Sequence, residues 1–280
     1  MSEAKASSLE AFASQLRAWR LRMGWTQVEA GEKLGYSASL VSGVETMDKN
    51  PTADFAKACD KGFGTPGFEE EPDAPGTFMT LQKLVAREAW PSYFAPVFDL
   101  EKSAIRIHQW DMRVVPGLLQ TEDYARSVIS AGRPRDSASS IDRAVSARLE
   151  RQAILARDDP PMLWQVLHEG VLRHVVGSPA VMCGQLDKLA SLAREPGIVV
   201  QVLPFAASDH PGTDGPVLIY DFEGKSSVAY TECNGGGRIV ESPGEVADLT
   251  IVLNMIRAAA LSPRESTALI LEVRSEIADG

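Results

Sequence analysis

No stretch of the sequence approaches the roughly 20 consecutive apolar residues that a membrane span requires. Its start, MSEAKASSLEAFASQLRAW, has neither the basic flank nor the apolar core of a secretory signal. The expectation is a cytoplasmic protein with no membrane partner. Cysteine is scarce: Cys59, Cys183 and Cys233 are odd in number and far apart, which excludes a disulfide framework and reads as buried, reduced thiols. Histidine is as rare. His108, His168, His174 and His210 are scattered, and the only near neighbours, His168 and His174, lack the i, i+4 spacing and the accompanying acid of a zinc helix, so no metal site is expected. There is no G-x-S-x-G elbow, no phosphate-cradling G-x-x-x-x-G-K and no cysteine beside a base in sequence. Glu169, Glu150 and Asp123 read as caps and surface bridges. These absences leave no catalytic residues and no cofactor, and they point away from an enzyme.

What is present is a chain of 280 residues, 44% apolar, with a net charge of -10. That is enough for one large domain or two ordinary ones, each with its own core. The charge is unevenly spread. Residues 1–65 hold eight basic and eight acidic side chains, so the whole acidic excess lies in 66–280. A neutral N-terminal segment is compatible with a DNA partner but predicts weak non-specific affinity, because duplex DNA is held largely through Lys and Arg on phosphates. Between the two regions, GTPGFEEEPDAPG (64–76) interrupts any helical pattern with glycines, prolines and four acids. The expected organisation is a first domain over 1–65, a linker over 66–78 and a second domain over 79–280.

Before the linker, Leu9, Phe12, Leu16, Trp19 and Met23 recur at helical spacing and Gly24 is placed to end that helix. Thr26-Gln27-Val28-Glu29 has the form of a capping box opening a second helix, which stops near Gly35. Ser37 can cap a third helix that turns Leu40, Val41 and Val44 inward and Ala38, Ser39, Ser42 and Gly43 outward. Pro51 opens a fourth helix with Phe55, Ala56, Cys59 and Phe63 on its buried side. Two short helices around a glycine-containing turn give the geometry that reads DNA.

The string LRAWRLRMGWTQVEAGEKLGYSASLVSGVETMDKNPTADFAKACDKGFG resembles the lambda-repressor-like, or XRE, helix-turn-helix family over about fifty residues without a gap inside the motif. The resemblance implies that double-stranded DNA is the partner, that Gln27 bonds a phosphate, and that Ser37, Ala38, Ser39, Ser42 and Gly43 face the base edges. Lys49, just beyond the third helix, completes the DNA-binding set. It also implies a buried ion pair between Arg20 and Glu45. Two departures stand out. The third helix offers only small side chains where many members of the family present Gln, Arg or Asn, so direct base readout is limited and shape readout gains weight. The glycine usual after the third helix is replaced around Thr46-Met47, which leaves the path of that loop open.

Beyond the linker, helical spacing recurs over 80–89, 122–131, 138–157, 180–193, 245–260 and 263–277. Runs rich in β-branched and aromatic residues, 162–167, 198–203, 217–222 and 227–233, read as strands, and Asn234-Gly235-Gly236-Gly237 as a hairpin turn into 238–241. The expected fold is therefore an all-α helix-turn-helix domain of four to five helices followed by a larger α+β domain with a mainly antiparallel sheet. Trp110, Met112, Tyr124, Trp164 and Tyr220 could line a ligand pocket under the 206–215 loop, or simply fill the core. The strings VVPGLLQTEDYARSVI, LHEGVLRHVVGSPAVMCGQLDKLASLA and VVQVLPFAASDHPGTDGPVLIYDF resemble the C-terminal domain of actinobacterial XRE regulators, whose molecular function is not established. That resemblance implies a transcriptional regulator, with antitoxin-like members encoded beside a small partner protein. Because the third helix reads bases weakly, useful affinity calls for a homodimer joined through the second domain. A protein-protein interaction module without direct DNA readout is the alternative.

Overall fold

The structure, a computed structural model, describes residues 7–66, 76–88, 94, 96–233 and 236–280. It divides into two compact units, residues 1–92 with 137–144 and residues 93–136 with 145–280.

In the first unit five helices follow one another: α1 (Ser8–Arg22), α2 (Gln27–Leu34), α3 (Ala38–Glu45), α4 (Ala53–Phe63) and α5 (Thr77–Glu88). Leu9, Phe12 and Leu16 of α1 meet Val41 and Val44 of α3, the apolar side of α4, and Phe78 and Val85 of α5 in one core. The expected buried side of α4 is all there, but α4 begins later than Pro51 suggests, with Thr52 as its N-cap accepting a hydrogen bond from the Phe55 amide.

The expected boundary is corrected at α5. Residues 67–75 of the expected linker lie outside the described residues, yet its last two, Thr77 and Phe78, open a helix that packs on α1 and α4. The reason is Asp60, on the buried side of α4 and fully inaccessible. Its carboxylate accepts the Phe78 and Met79 amides at 2.9 Å each, together with the Thr65 hydroxyl at 2.5 Å. It thus acts as an N-terminal cap reaching across 18 residues of sequence. Burying the Phe78 ring adds about 1.5–3 kcal/mol to that attachment.

The second unit is α+β. Its elements are α6 (Val97–Ser103), β1 (Arg106–Asp111), α7 (Glu122–Gly132), α8 (Ala138–Arg151, shared with the first unit), β2 (Met162–His168), α9 (Glu169–Arg173), α10 (Pro179–Leu192), β3 (Ile198–Leu203), β4 (Val217–Phe222), β5 (Lys225–Cys233), β6 (Gly236–Val240), α11 (Pro243–Ala259) and α12 (Pro263–Asp279). The strands form one sheet in the order β3-β2-β1-β4-β5-β6. From β1 outward through β4, β5 and β6 every pairing is antiparallel, as expected, while β1-β2 and β2-β3 are parallel. The parallel pairs are joined by helical crossovers, since strands running the same way cannot be linked by a tight turn. The expected strands are all present. Missing from the sequence reading are α6, α9 and the central strand β1. In the hairpin turn, Asn234 and Gly235 lie outside the described residues, and Cys233 pairs with Gly236 beside them.

Because strand side chains alternate, the sheet has two apolar faces. One carries Ile107, Leu163, Val200, Val202, Leu218 and Tyr220 and is covered by α7, α10 and α12. The other carries Trp110, Val166, Leu203, Val217, Ile219 and Ala229 and packs against α11. The edge of β3 is closed: Val202 donates to Ser266 Oγ and accepts from the Leu261 amide, each at 2.9 Å. Among the described residues no single helix is long and apolar enough to cross a membrane. α11 and α12 reach that length only together, bent by 69°.

Several sequence readings change here. The large aromatic side chains do not line one pocket: Trp110 lies in the core under α11, Tyr124 and Tyr220 in the opposite core, and Met112 is exposed. The 206–215 loop is tied to the core by Trp110 Nε1, which donates to the Gly212 carbonyl, and within the loop the Gly212 amide donates to His210 Nδ1. Of the three thiols only Cys59 is buried, and burial pushes its pKa up; Cys183 is half-buried, and Cys233, at the end of its strand, is exposed.

Candidate nucleic-acid interface

The helix-turn-helix of the first unit is built by local chemistry at each step. Thr26 Oγ1 accepts the Glu29 amide at 3.2 Å while Glu29 accepts the Thr26 amide at 2.7 Å, so the expected capping box opens α2. Gly35 ends it in the left-handed region at φ 78. Ser37 Oγ then accepts the Leu40 amide at 3.2 Å and starts α3. Gly31 makes the turn tight enough. A Cβ there would sit 2.6 Å from the Tyr36 carbonyl oxygen and 3.0 Å from the Ala38 amide nitrogen, both backbone atoms. This residue was not singled out from the sequence, although a glycine inside a helix is the kind of signal that marks close packing.

The two helices are then clamped from α1. Arg20 meets Glu45 in a two-pronged contact, Nε to Oε1 at 2.5 Å and Nη2 to Oε2 at 2.9 Å, and its Nη1 donates to the Trp25 carbonyl at 2.9 Å. Gln27 joins them, donating from Nε2 to Glu45 Oε2 at 2.8 Å. The implied Arg20–Glu45 pair is thus present, with side-chain exposures of 10% and 5%. Its hydrogen bond to Glu45 raises the Arg20 pKa, outweighing burial. Burial alone would raise Glu45, but the hydrogen bonds from Arg20 and Gln27 and the Arg20 charge bring it below its ordinary value.

Of the residues implied to face DNA, Ser37, Ser39 and Lys49 are exposed, Gln27, Ala38 and Ser42 are half-buried, and Gly43 is buried. Gly43 is therefore removed from the outward set. The stem of Lys49 folds across it, so that an added Cβ would lie 2.8 Å from Lys49 Cγ and Cδ, and the Lys49 amide donates to the Gly43 carbonyl at 2.9 Å. At its tip, Lys49 Nζ donates to Ser39 Oγ at 3.3 Å. The loop after α3 keeps a left-handed turn without glycine: Met47 takes φ 64 and is the only described non-glycine residue at positive φ. Further cations are Lys33, whose ammonium lies 5.2 Å from the Trp25 ring centroid, and Arg22, 5.0 Å from that of Trp19.

In the second unit three of the histidines, His108, His168 and His210, make side-chain contacts. His168 Nδ1 accepts the Gly170 amide, and His108 Nε2 lies 3.1 Å from Asp221 Oδ2. Glu169 accepts from the Phe205 amide and from Arg173. No group of three or more metal-ligating side chains is found among the described residues.

The first unit is thus a helix-turn-helix of the DNA-binding kind, and a helix-turn-helix domain family matches residues 11–72. The chain as a whole belongs to the family defined by a domain of unknown function, DUF5753, which matches residues 94–272. No curated protein and no solved structure matches the chain.

Proposed function

We propose that the chain is a sequence-specific transcriptional regulator rather than an enzyme. In this reading α3 enters the major groove, and the second unit joins two chains and senses a small molecule or a small partner protein. The observation that carries it is the Arg20–Glu45–Gln27 clamp, which holds α2 and α3 in one mutual orientation while leaving Ser37, Ser39 and Lys49 on the surface. Gln27 has a second amide hydrogen for a phosphate, Ser39 and Ser42 reach base edges, and Lys49 swings from Ser39 to the backbone. A single module with such small side chains gains little energy from bases, so two modules on one DNA, with recognition helices about 34 Å apart, supply the affinity.

A gel shift with DNA from the protein's own promoter tests this. Gln27→Ala should weaken every sequence alike, whereas Ser42→Arg should change the preferred sequence. If neither variant alters binding, the docking is wrong. Light scattering on the full chain should give a dimer, and a monomer at all concentrations would overturn the assembly. A second reading, a protein-contact module, is favoured by the exposed apolar side chains Leu21 and Val28, 59% and 57% accessible. It predicts no shift with any DNA.

A further inference from the structure

Between α11 and the strands β1, β4 and β5 lies an open cavity of about 470 Å³. That falls within the 300–1,000 Å³ range of small-molecule sites. Its apolar wall is made by Ile219, Val246, Ile251 and Leu253, and its polar end by His108, Asp221 and Arg257.

The polar end has one cation, Arg257, with no carboxylate in hydrogen-bond contact among the described residues. Asp221 is compensated: Oδ2 accepts Arg106 Nε at 3.0 Å and meets His108 Nε2 at 3.1 Å, and Oδ1 accepts the Ser227 hydroxyl at 2.6 Å. Burial holds the His108 pKa below its ordinary value, so the ring is neutral at pH 7, and its Nδ1 is buried without a hydrogen-bond partner among the described residues. Arg257 lies over the Trp164 ring, 4.6 Å from the centroid, and donates from Nη1 to Asn254 Oδ1 at 3.1 Å. Its Nε and Nη2 are shielded from solvent and have no acceptor among the described residues. These two nitrogens form the edge of a guanidinium that receives a carboxylate in two parallel hydrogen bonds. Leaving such donors unmet is costly, and a ligand that supplies both oxygens relieves the cost.

We infer that this cavity is the effector site and that it takes a small monocarboxylic acid with a compact apolar body. The carboxylate pairs with Arg257, whose closed Nε–Nη2 edge turns toward the cavity to receive it, and the apolar body lies against Ile219, Val246 and Leu253. A dianion such as phosphate fits worse, because Asp221 already offsets part of the Arg257 charge and the remaining wall is apolar. The inference rests on the reading of the second unit as the sensing part of a regulator, and it names the class of effector.

Calorimetric titration of the full chain, without DNA, compares 4-methylpentanoate and phenylacetate with their neutral primary amides. The acids should bind at least about tenfold more tightly than the amides. Arg257→Met should erase that difference, and Ala247→Trp, at an exposed position lining the cavity, should block both acids while leaving the circular dichroism unchanged. Equal binding of acids and amides, no binding of either at millimolar concentration, or affinities untouched by both variants would overturn the site. A gel shift on the same preparation separates the two readings. Acid binding without any DNA binding overturns the regulator and keeps the site, whereas DNA binding without acid binding overturns the site and keeps the regulator.

Discussion

Cutting the clamp between α1 and α3 from one side strands a charge in a place with almost no water. With Arg20→Met, the Glu45 carboxylate, 5% exposed, keeps only the Gln27 amide. With Glu45→Leu, the guanidinium keeps only the Trp25 carbonyl. Removing one member of a buried pair typically costs about 3–5 kcal/mol, whereas replacing both by apolar side chains of similar volume can be nearly neutral. The single variants should each lose that much, the double variant Arg20→Met/Glu45→Leu less than about 2 kcal/mol, and the coupling should exceed about 3 kcal/mol. Equilibrium unfolding of the full chain in urea, with amide hydrogen exchange of α2 and α3 to localise the loss, measures all three. A coupling below about 0.5 kcal/mol would refute the reasoning. Acid provides a second reading of the same pair. Glu45 is depressed in the folded chain, so its contribution is complete above its ordinary value of 4.5 and fades as pH falls through its lower folded value. Glu45→Gln should lose that part of the acid dependence.

Met47→Gly should raise stability by about 0.5–1 kcal/mol, seen as an increase in Tm, because glycine adopts the left-handed conformation that Met47 is forced into at φ 64. No change or a decrease would mean that the methionine side chain is worth more than the strain. Gly31→Ala should cost about 1–3 kcal/mol in urea unfolding, since its Cβ meets backbone atoms that cannot rotate away; a neutral result would show that the turn can open. Asp60→Ala should speed exchange of the Phe78 and Met79 amides at least about tenfold, the loss of a buried charged acceptor being worth about 1.5–3 kcal/mol. Unchanged protection would mean that the α5 core contacts alone hold the helix.

What could be read from the sequence was set by neighbours a few residues apart. Thr26 and Glu29, Ser37 with Leu40, and Gly35 fix the starts and stop of α2 and α3 through contacts within a single turn. What escaped depends on long-range contacts. The attachment of α5 rests on one aspartate whose partners lie 18 and 19 residues away, although a lone Asp beside Cys59 and Phe63 was a visible irregularity. β1 reads RIHQWD, with Gln109 and Asp111 buried among other strands, and a polar strand is legible only once its neighbours are known. The helical wheel turned Gly43 outward correctly as geometry, but Lys49 folds back and covers it. Likewise, no pattern places Arg257 of α11 beside His108 of β1, 149 residues earlier, so the cavity between them had no local signature.

The placement of α3 is tested most directly by methylation protection on promoter DNA bound by the full chain, which reports major-groove contact at guanine N7 and minor-groove contact at adenine N3. The account predicts N7 protection in two short clusters whose centres lie about 34 Å apart, one turn of the duplex, or a multiple of it, with N3 left reactive. Protection confined to N3, or unprotected N7 throughout a bound site, would contradict it.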